Sequence, residues 1–157
     1  MAIRANSNSQ NWTEKTLSNL YGSVFFLDGF YFRSVESLLQ GVKFPLEDSR
    51  RIRAFSSCGR RARKLSAEAG SERVWLLDGK EAPYGSPEHV SLLEKALRAK
   101  FDQNPVLMQA LVSTGDKPIV CGIKQEESPR ISFLKGQFCR ILEDIRKDAA
   151  QKDPAGE

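Results

Sequence analysis

Residues 34–44, with the sequence SVESLLQGVKF, constrain the fold of this chain more than any other segment. Ser34 can cap the free amides at the start of a helix, and Pro45 ends that helix. Between them, apolar residues repeat at helical spacing, at Val35, Leu38, Leu39 and Val42. The pattern predicts one short helix with an apolar face.

Three polar residues of this segment, Glu36, Gln40 and Lys43, follow the spacing i, i+4, i+7 and project from one side of the predicted helix. One interpretation is a solvated face with a helix-supporting ion pair, which the spacing alone favours. The other is a pocket lined by an acid/base carboxylate and an amine nucleophile, since buried polar groups are costly without partners. The spacing favours the first interpretation but does not exclude the second.

A β-hairpin is predicted immediately before this helix. Asp28 and Gly29 form a two-residue turn signal between aromatic-rich runs at residues 23–27 and 30–32. Residues 1–16 are predicted to be a loose tail with an edge strand near residues 2–5. Residues 17–22 are predicted to form a loop whose Ser and Asn side chains can hold the backbone or a ligand.

Residues 47–66 are predicted to be helical, with a break at Gly59. The segment is strongly basic, with cationic side chains at Arg50, Arg51, Arg53, Arg60, Arg61, Arg63 and Lys64. A solvated surface and an anion-steering patch are equally compatible with this pattern. Direct nucleic-acid binding is a weaker alternative, because only Phe55 offers an aromatic ring for base stacking.

The second half of the chain is predicted to be mainly helical. Ser86 with Pro87, and Asn104 with Pro105, each open a helix, and His89 is expected to be exposed in the first turn of the earlier one. The remaining predictions are a strand at 74–77 in an exposed, mobile connection, a strand at 118–121, a helix at 133–147 and a disordered tail at 148–157. The predicted fold class is therefore α+β, a helix-rich single domain with a small sheet that includes the N-terminal hairpin.

The composition restricts the function classes. A chain of 157 residues suits one domain, and its net charge of +4 favours an anionic ligand. Three scattered cysteines and one histidine lack metal-ligand spacing, so we expect no metal, no cofactor and a reducing, cytoplasmic setting. The polar start is not a secretory signal and no apolar run reaches the roughly 20 residues of a membrane span, so no membrane association is expected.

Four blocks of the sequence, in this order, resemble the NADAR (NAD- and ADP-ribose-associated) family of YbiA-like N-glycosidases. The family's F-S-N-F is similar to residues 17–20 (LSNL), and its D-G…S-E-H-Y-F-Q-A-Q-K-F is similar to Asp28-Gly29 with residues 34–44. Residues 96–104 (ALRAKFDQN), continuing to Thr114 and Gly115, are nearly verbatim, and residues 142–146 (LEDIR) are similar to L-M-E-L-R. The resemblance places the domain at residues 17–147.

The resemblance implies a helix-rich α+β enzyme that cleaves an N-glycosidic bond at C1 of a phosphorylated ribose, without a cofactor. Implied substrates are early riboflavin-pathway intermediates or ADP-ribose attached to guanine in nucleic acid. Lys43 would attack the sugar and form a Schiff base, and Glu36 would be the acid/base. The expected substrate-binding residues are Ser18, Asn19 and Gln40 for the ribose hydroxyls, Arg60 and Arg61 of the basic segment for the phosphates, and Tyr84 and Glu126.

The chain departs from the family pattern in its C-terminal half. Cys121 stands where members carry a glutamate, and the Trp-Gly step is absent near Glu126 and Pro129. These departures predict a changed or narrowed substrate. They also keep open a second hypothesis, a module that binds ADP-ribose-like nucleotides or a partner without turnover.

Overall fold

The helix predicted from residues 34–44 lies at the centre of the fold. The computed structural model describes residues 1–70, 72–121 and 135–152. In chain order its elements are β1 (Ile3–Ala5), α1 (Trp12–Leu17), β2 (Phe25–Leu27), β3 (Phe30–Phe32), α2 (Val35–Gly41), α3 (Ser49–Phe55), α4 (Gly59–Leu65), β4 (Arg73–Trp75), β5 (Glu81–Pro83), α5 (Pro87–Asp102), α6 (Pro105–Val112), β6 (Ile119–Cys121) and α7 (Lys135–Lys152).

Helix α2 begins as its sequence predicts. The Oγ of Ser34 accepts a hydrogen bond from the Ser37 N–H at 3.1 Å, so Ser34 is the N-cap. Every residue of α2 is buried, and helices α3, α4 and α5 pack around it. A Cβ added to Gly41 would lie 2.3 Å from two ring carbons of Phe55. Only glycine therefore allows α2 and α3 to approach this closely.

The described strands pair in three two-stranded sheets. Strands β2 and β3 form the predicted hairpin, in which Asp28 (φ 50°) and Gly29 (φ 91°) supply the two positive φ angles that such a turn requires. Strand β1 pairs in parallel with β6, which joins the start of the chain to its second half. The prediction of a helix-rich α+β fold is confirmed.

The expectation of a loose tail and edge strand over residues 1–16 is wrong in part, because residues 12–17 form helix α1. Asn11 caps this helix by accepting the Glu14 N–H at 3.3 Å. The Glu14 carboxylate in turn accepts the Arg4 N–H at 3.0 Å and the Ser9 hydroxyl at 2.6 Å. The short helix has no periodic apolar face. Its start is held by these polar contacts, and Leu17 at its end is buried in the core.

The connection between residues 67 and 85 is only in part the exposed segment that its turn residues suggest. Strands β4 and β5 form a hairpin whose Val74 and Ala82 are buried. The Trp75 N–H donates to the Val42 carbonyl at 2.7 Å, which attaches the hairpin to the end of α2. Arg51, predicted to lie in a basic surface segment, is 1% exposed and donates to the carbonyls of Phe44, Trp75 and Leu76, each at 2.9 Å.

The last helix, α7, runs to Lys152. It therefore covers residues 148–152 of the tail that was predicted to be disordered, and residues 153–157 lie outside the described part of the chain. Phe138, Ile141 and Ile145 of α7 join the core. Beyond this apolar face, Asp148 forms an ion pair with Arg98 of α5 at 2.9 Å, so the helix continues past the end of the apolar pattern.

Candidate active site

The carboxylate of Glu36 is at the centre of a buried polar cluster. Glu36 is completely buried, and its Oε2 accepts from Asn19 Nδ2 at 2.8 Å and from Arg63 Nε at 2.8 Å. Its Oε1 accepts from Gln40 Nε2 at 3.0 Å. The second terminal nitrogen of Arg63 lies 2.6 Å from Oε2. This burial excludes the interpretation of Glu36 and Gln40 as a solvated helix face.

The loop of Ser18 and Asn19 is held in place from two sides. The Glu36 N–H donates to the Asn19 carbonyl at 2.9 Å, while the Asn19 side chain donates back to the Glu36 carboxylate. On the other side, Lys100 Nζ donates to the carbonyls of Thr16 and Ser18 at 2.6 and 2.9 Å. Lys100 is fully buried, and burial lowers its pKa to about 7.

Helix α4 delivers Arg63 to Glu36 because the two helices are in direct contact. A Cβ added to Gly59 would lie 3.0 Å from the Cβ of Glu36 and 2.8 Å from a methyl carbon of Leu20. Gly59, predicted as a break between helices, is thus also the point where α4 meets α2. Arg63 follows one turn later, on the side that reaches the carboxylate.

Gln40 is oriented by two hydrogen bonds with different partners. Its Nε2 donates to Glu36, and its Oε1 accepts from the Ser66 hydroxyl, which follows the end of α4. A side-chain amide whose two ends are bonded in this way has one defined orientation. Gln40 therefore connects the carboxylate to the surrounding scaffold.

Lys43 lies just past the end of α2 and is 5% exposed. Burial raises the pKa of Glu36 and lowers that of His89. The positive charge of Lys43 opposes the first shift and adds to the second, so the amine is within electrostatic reach of both side chains. The predicted spacing assumed that the helix reaches residue 44. The helix instead stops at Gly41, and a tight turn, with the Lys43 N–H donating to the Gln40 carbonyl at 3.2 Å, places Lys43.

The Glu36 carboxyl has a pKa above its ordinary value. Burial is the main cause, because a charged carboxylate loses hydration in the interior. The charge of Arg63, the Gln40 and Arg63 hydrogen bonds and the charge of Lys43 oppose this shift. A carboxyl group whose pKa is raised in this way holds a proton more readily than a solvent-exposed carboxyl group does.

His89 is buried, and the expectation that it is exposed is wrong. It is 3% exposed, its Nδ1 accepts the Gly85 N–H at 3.0 Å, and its ring lies edge-on to Tyr84 with 4.8 Å between centroids. Burial, with a contribution from Lys43, lowers its pKa to about 4. The sequence did carry a signal, since His89, Leu93 and Leu97 recur every four residues on the core face of α5.

The other predicted binding residues are dispersed. Tyr84 is half-buried against His89. Arg60 and Arg61 are exposed on α4, where Arg60 Nη2 donates to Asn8 Oδ1 at 3.4 Å. Glu126 lies outside the described residues. The assignments of these four residues to ligand binding remain predictions.

The fold can be compared with that of a solved protein. The NMR structure of the E. coli protein YbiA is similar to this chain, with a TM-score of 0.70 over 99% of this chain and 87% of YbiA. The chain has the YbiA-like fold. The two sequences share 17% identity, no family model matches the chain, and no curated protein matches it. The likeness to YbiA therefore concerns tertiary structure.

On this YbiA-like fold the Glu36 cluster is distinct from a cleft beside helix α5. That cleft, of about 400 Å³, lies between the β4–β5 turn and α5 and is lined by residues such as Leu76, Pro87 and Lys95. Among the described residues, no group of His, Cys, Asp and Glu side chains converges as a metal site. None of the helices in these same ranges is long and apolar enough to cross a membrane.

Proposed function

We propose that this protein is an N-glycosidase that cleaves the bond between C1 of a phosphorylated ribose and a base. The substrate class is an ADP-ribosyl or ribosyl-phosphate N-glycoside, including ADP-ribosylated guanine in nucleic acid. The observation that carries the proposal is the burial of an acid and an amine together, at Glu36 and Lys43. The net charge of +4 favours such anionic ligands.

Lys43 acts as the nucleophile. A proton, which the later hydrolysis returns, moves to the ring oxygen as the ribose opens, and C1 becomes doubly bonded to the base nitrogen as an iminium. The neutral amine then adds its electron pair to C1. One proton moves from the lysine nitrogen to the base nitrogen, and the base departs with the electrons of the C1–N bond. A protonated imine between Lys43 and C1 remains. Water then adds to C1, the amine leaves with its electron pair, and the sugar is released as an aldehyde that recloses.

Glu36 carries the proton from the amine to the leaving base, because its raised pKa allows it to hold a proton between the two steps. Asn19, Gln40 and Ser18 orient the ribose hydroxyls. Arg63 keeps the carboxyl in place through its contact with Oε2 at 2.6 Å. Attack on C1 requires the neutral form of the Lys43 amine.

Incubation with ADP-ribosylated guanosine, NAD and ribosylated pyrimidine phosphates, with the free base detected by mass spectrometry, tests the activity. Borohydride reduces an imine to a stable secondary amine, so substrate with borohydride should add the sugar-phosphate mass to the peptide that contains Lys43. Lys43→Ala and Lys43→Arg should both lose turnover, since a guanidinium stays protonated. Lys64→Ala, an exposed lysine on α4, is the control. Full activity of Lys43→Ala would exclude the covalent mechanism.

A second candidate function is nucleotide binding without turnover. It is favoured by the hydrogen bonds that Asn19, Gln40 and Arg63 donate to Glu36, which also suit a fixed structural anion. Cys121 in place of the family's glutamate points in the same direction. Tight ADP-ribose binding with no base released from any N-glycoside would select this function.

A further inference from the structure

His89 carries a buried polar atom with an unexplained environment. Its Nε2 is buried and has no hydrogen-bond partner among the residues that the structure describes. Native proteins satisfy nearly all buried polar groups, so such an atom calls for a specific explanation. His89 lies in the first turn of the sixteen-residue helix α5.

The tautomer of the imidazole follows from the hydrogen bond at its other nitrogen, Nδ1. Nδ1 accepts the Gly85 N–H at 3.0 Å, so it carries a lone pair and the proton of the neutral ring is on Nε2. Gly85 has a φ of 78°, which glycine adopts readily, and this turn fixes the N–H that sets the tautomer. Because the pKa is lowered to about 4, the ring is neutral at pH 7. Nε2 is therefore an uncharged N–H donor.

The location of this donor relates it to the candidate active site. The charge of Lys43 acts on His89, and helix α5, which carries His89, packs against α2. Tyr84, predicted to bind substrate, lies against the imidazole with 4.8 Å between ring centroids. An uncharged donor beside an amine can bind an oxygen without adding a second positive charge next to that amine. A sugar oxygen fits this chemistry better than a phosphate, which would favour a protonated imidazole.

We propose that His89 is a binding residue for the sugar of the ligand, and that its Nε2–H donates a hydrogen bond to a ribose oxygen held at Lys43. The inference rests on the proposed ligand class, a ribosyl phosphate, and it requires no turnover. This role would add to the site a residue from α5. The site residues predicted from the first half of the chain come from α2, from the turn after it and from the loop of Ser18 and Asn19.

Two substitutions distinguish the role of Nδ1 as an acceptor from the role of Nε2 as a donor. Asn places its side-chain oxygen near the position of Nδ1, so His89→Asn keeps the acceptor for Gly85 and loses the Nε2 donor. Gln places its amide nitrogen near Nε2, so His89→Gln keeps the donor. With ADP-ribose and ribose 5-phosphate as probes in calorimetric titrations, His89→Asn should weaken binding by about three- to tenfold, the usual worth of one hydrogen bond. His89→Gln should bind within about twofold of the parent, and thermal melts should show both variants folded.

The single histidine allows a measurement that needs no substitution. The imidazole nitrogen and proton signals in NMR spectra should show an Nε2–H tautomer that shifts when ADP-ribose saturates the parent protein. Unchanged signals, parental affinity in His89→Asn, or no binding of either probe by the parent would each overturn the proposal. Binding without base release would overturn the proposed activity and leave the role of His89 standing. Base release together with parental affinity in His89→Asn would support the proposed activity and overturn the role of His89.

Discussion

The guanidinium of Arg63 lies 2.6 Å from the carboxylate of Glu36, and the two residues belong to different helices. The sequence pairs Glu36 with Lys43 by spacing within one helix, whereas this ion pair is formed with α4. The side chain of Arg63 is 31% exposed and that of Glu36 is 0% exposed. Arg63 thus connects the buried cluster to the protein surface, and Glu36 is a carboxylate whose burial depends on the packing of α4.

Replacing Arg63 with Met should destabilise the protein by about 1–3 kcal/mol, because a buried carboxylate loses its cationic partner. The partial exposure of Arg63 keeps the cost below that of a fully buried pair. Urea denaturation measures the change. Arg61→Met, a substitution of an exposed arginine on the same helix, is the control and should stay within about 0.5 kcal/mol of the parent.

A double-mutant cycle with Glu36→Gln isolates the ion pair from other effects. In the Glu36→Gln background the cost of Arg63→Met should shrink, since a neutral amide needs no cation. Equal costs in the two backgrounds would show that Arg63 stabilises α4 by packing alone.

The stability of the protein should fall as the pH decreases from about 6.5 to 4. The pKa of His89 is about 4 in the folded protein and about 6.5 in an unfolded chain, so the unfolded chain binds more protons in this range. The contribution is fully present above pH 6.5 and amounts to about 2 kcal/mol between pH 7 and 5.

Urea denaturation of the parent and of His89→Gln at pH 7, 6 and 5 isolates this contribution. Glu36 acts in the opposite direction, because its pKa is raised, and it acts equally in both proteins. The free energy of unfolding should therefore fall more in the parent than in His89→Gln. Parallel pH dependences would contradict the buried neutral imidazole.

Lys100→Met should loosen the loop that carries Asn19. It removes the donor to the carbonyls of Thr16 and Ser18, at an expected cost of about 1–3 kcal/mol. Hydrogen exchange of the Glu36 amide, which donates to Asn19, should accelerate. Lys95→Met, an exposed position on the same helix, is the control and should change neither quantity. An unchanged exchange rate of the Glu36 amide in Lys100→Met would show that contacts other than those of Lys100 hold the loop.

Arg60 and Arg61 are predicted to contact the phosphates of the ligand. Changing both to Ala should weaken ADP-ribose binding more at low salt than at roughly 0.5 M salt, because salt screens exposed charges. The pair Arg53→Ala and Arg73→Ala removes the same charge from exposed positions elsewhere and should have less effect. Parental affinity of the Arg60/Arg61 variant at low salt would leave these residues as part of a solvated face.

The local structure of this chain could be predicted from short stretches of sequence. Ser34 as a cap, the Asp28-Gly29 turn and the helix openings at Pro87 and Pro105 depend on residues within one or two turns of each other. Helix α1 was missed because its six residues carry no apolar period, and the contacts of Asn11 and Glu14 that cap it were not recognised in the sequence. The YbiA-like fold was predicted from four short blocks, and the comparison with YbiA confirms it at the level of the fold.

The sequence by itself determined that Glu36 and Gln40 share one side of helix α2, because spacing along a helix sets the direction of each side chain. Only the tertiary structure decided that this side is buried, and that Asn19 and Arg63 complete the cluster. It also decided that His89 lies inside and that Lys100 holds the Ser18 loop. The physical reason is that these partners come from separate elements, and helix packing, not local periodicity, sets the distances between them.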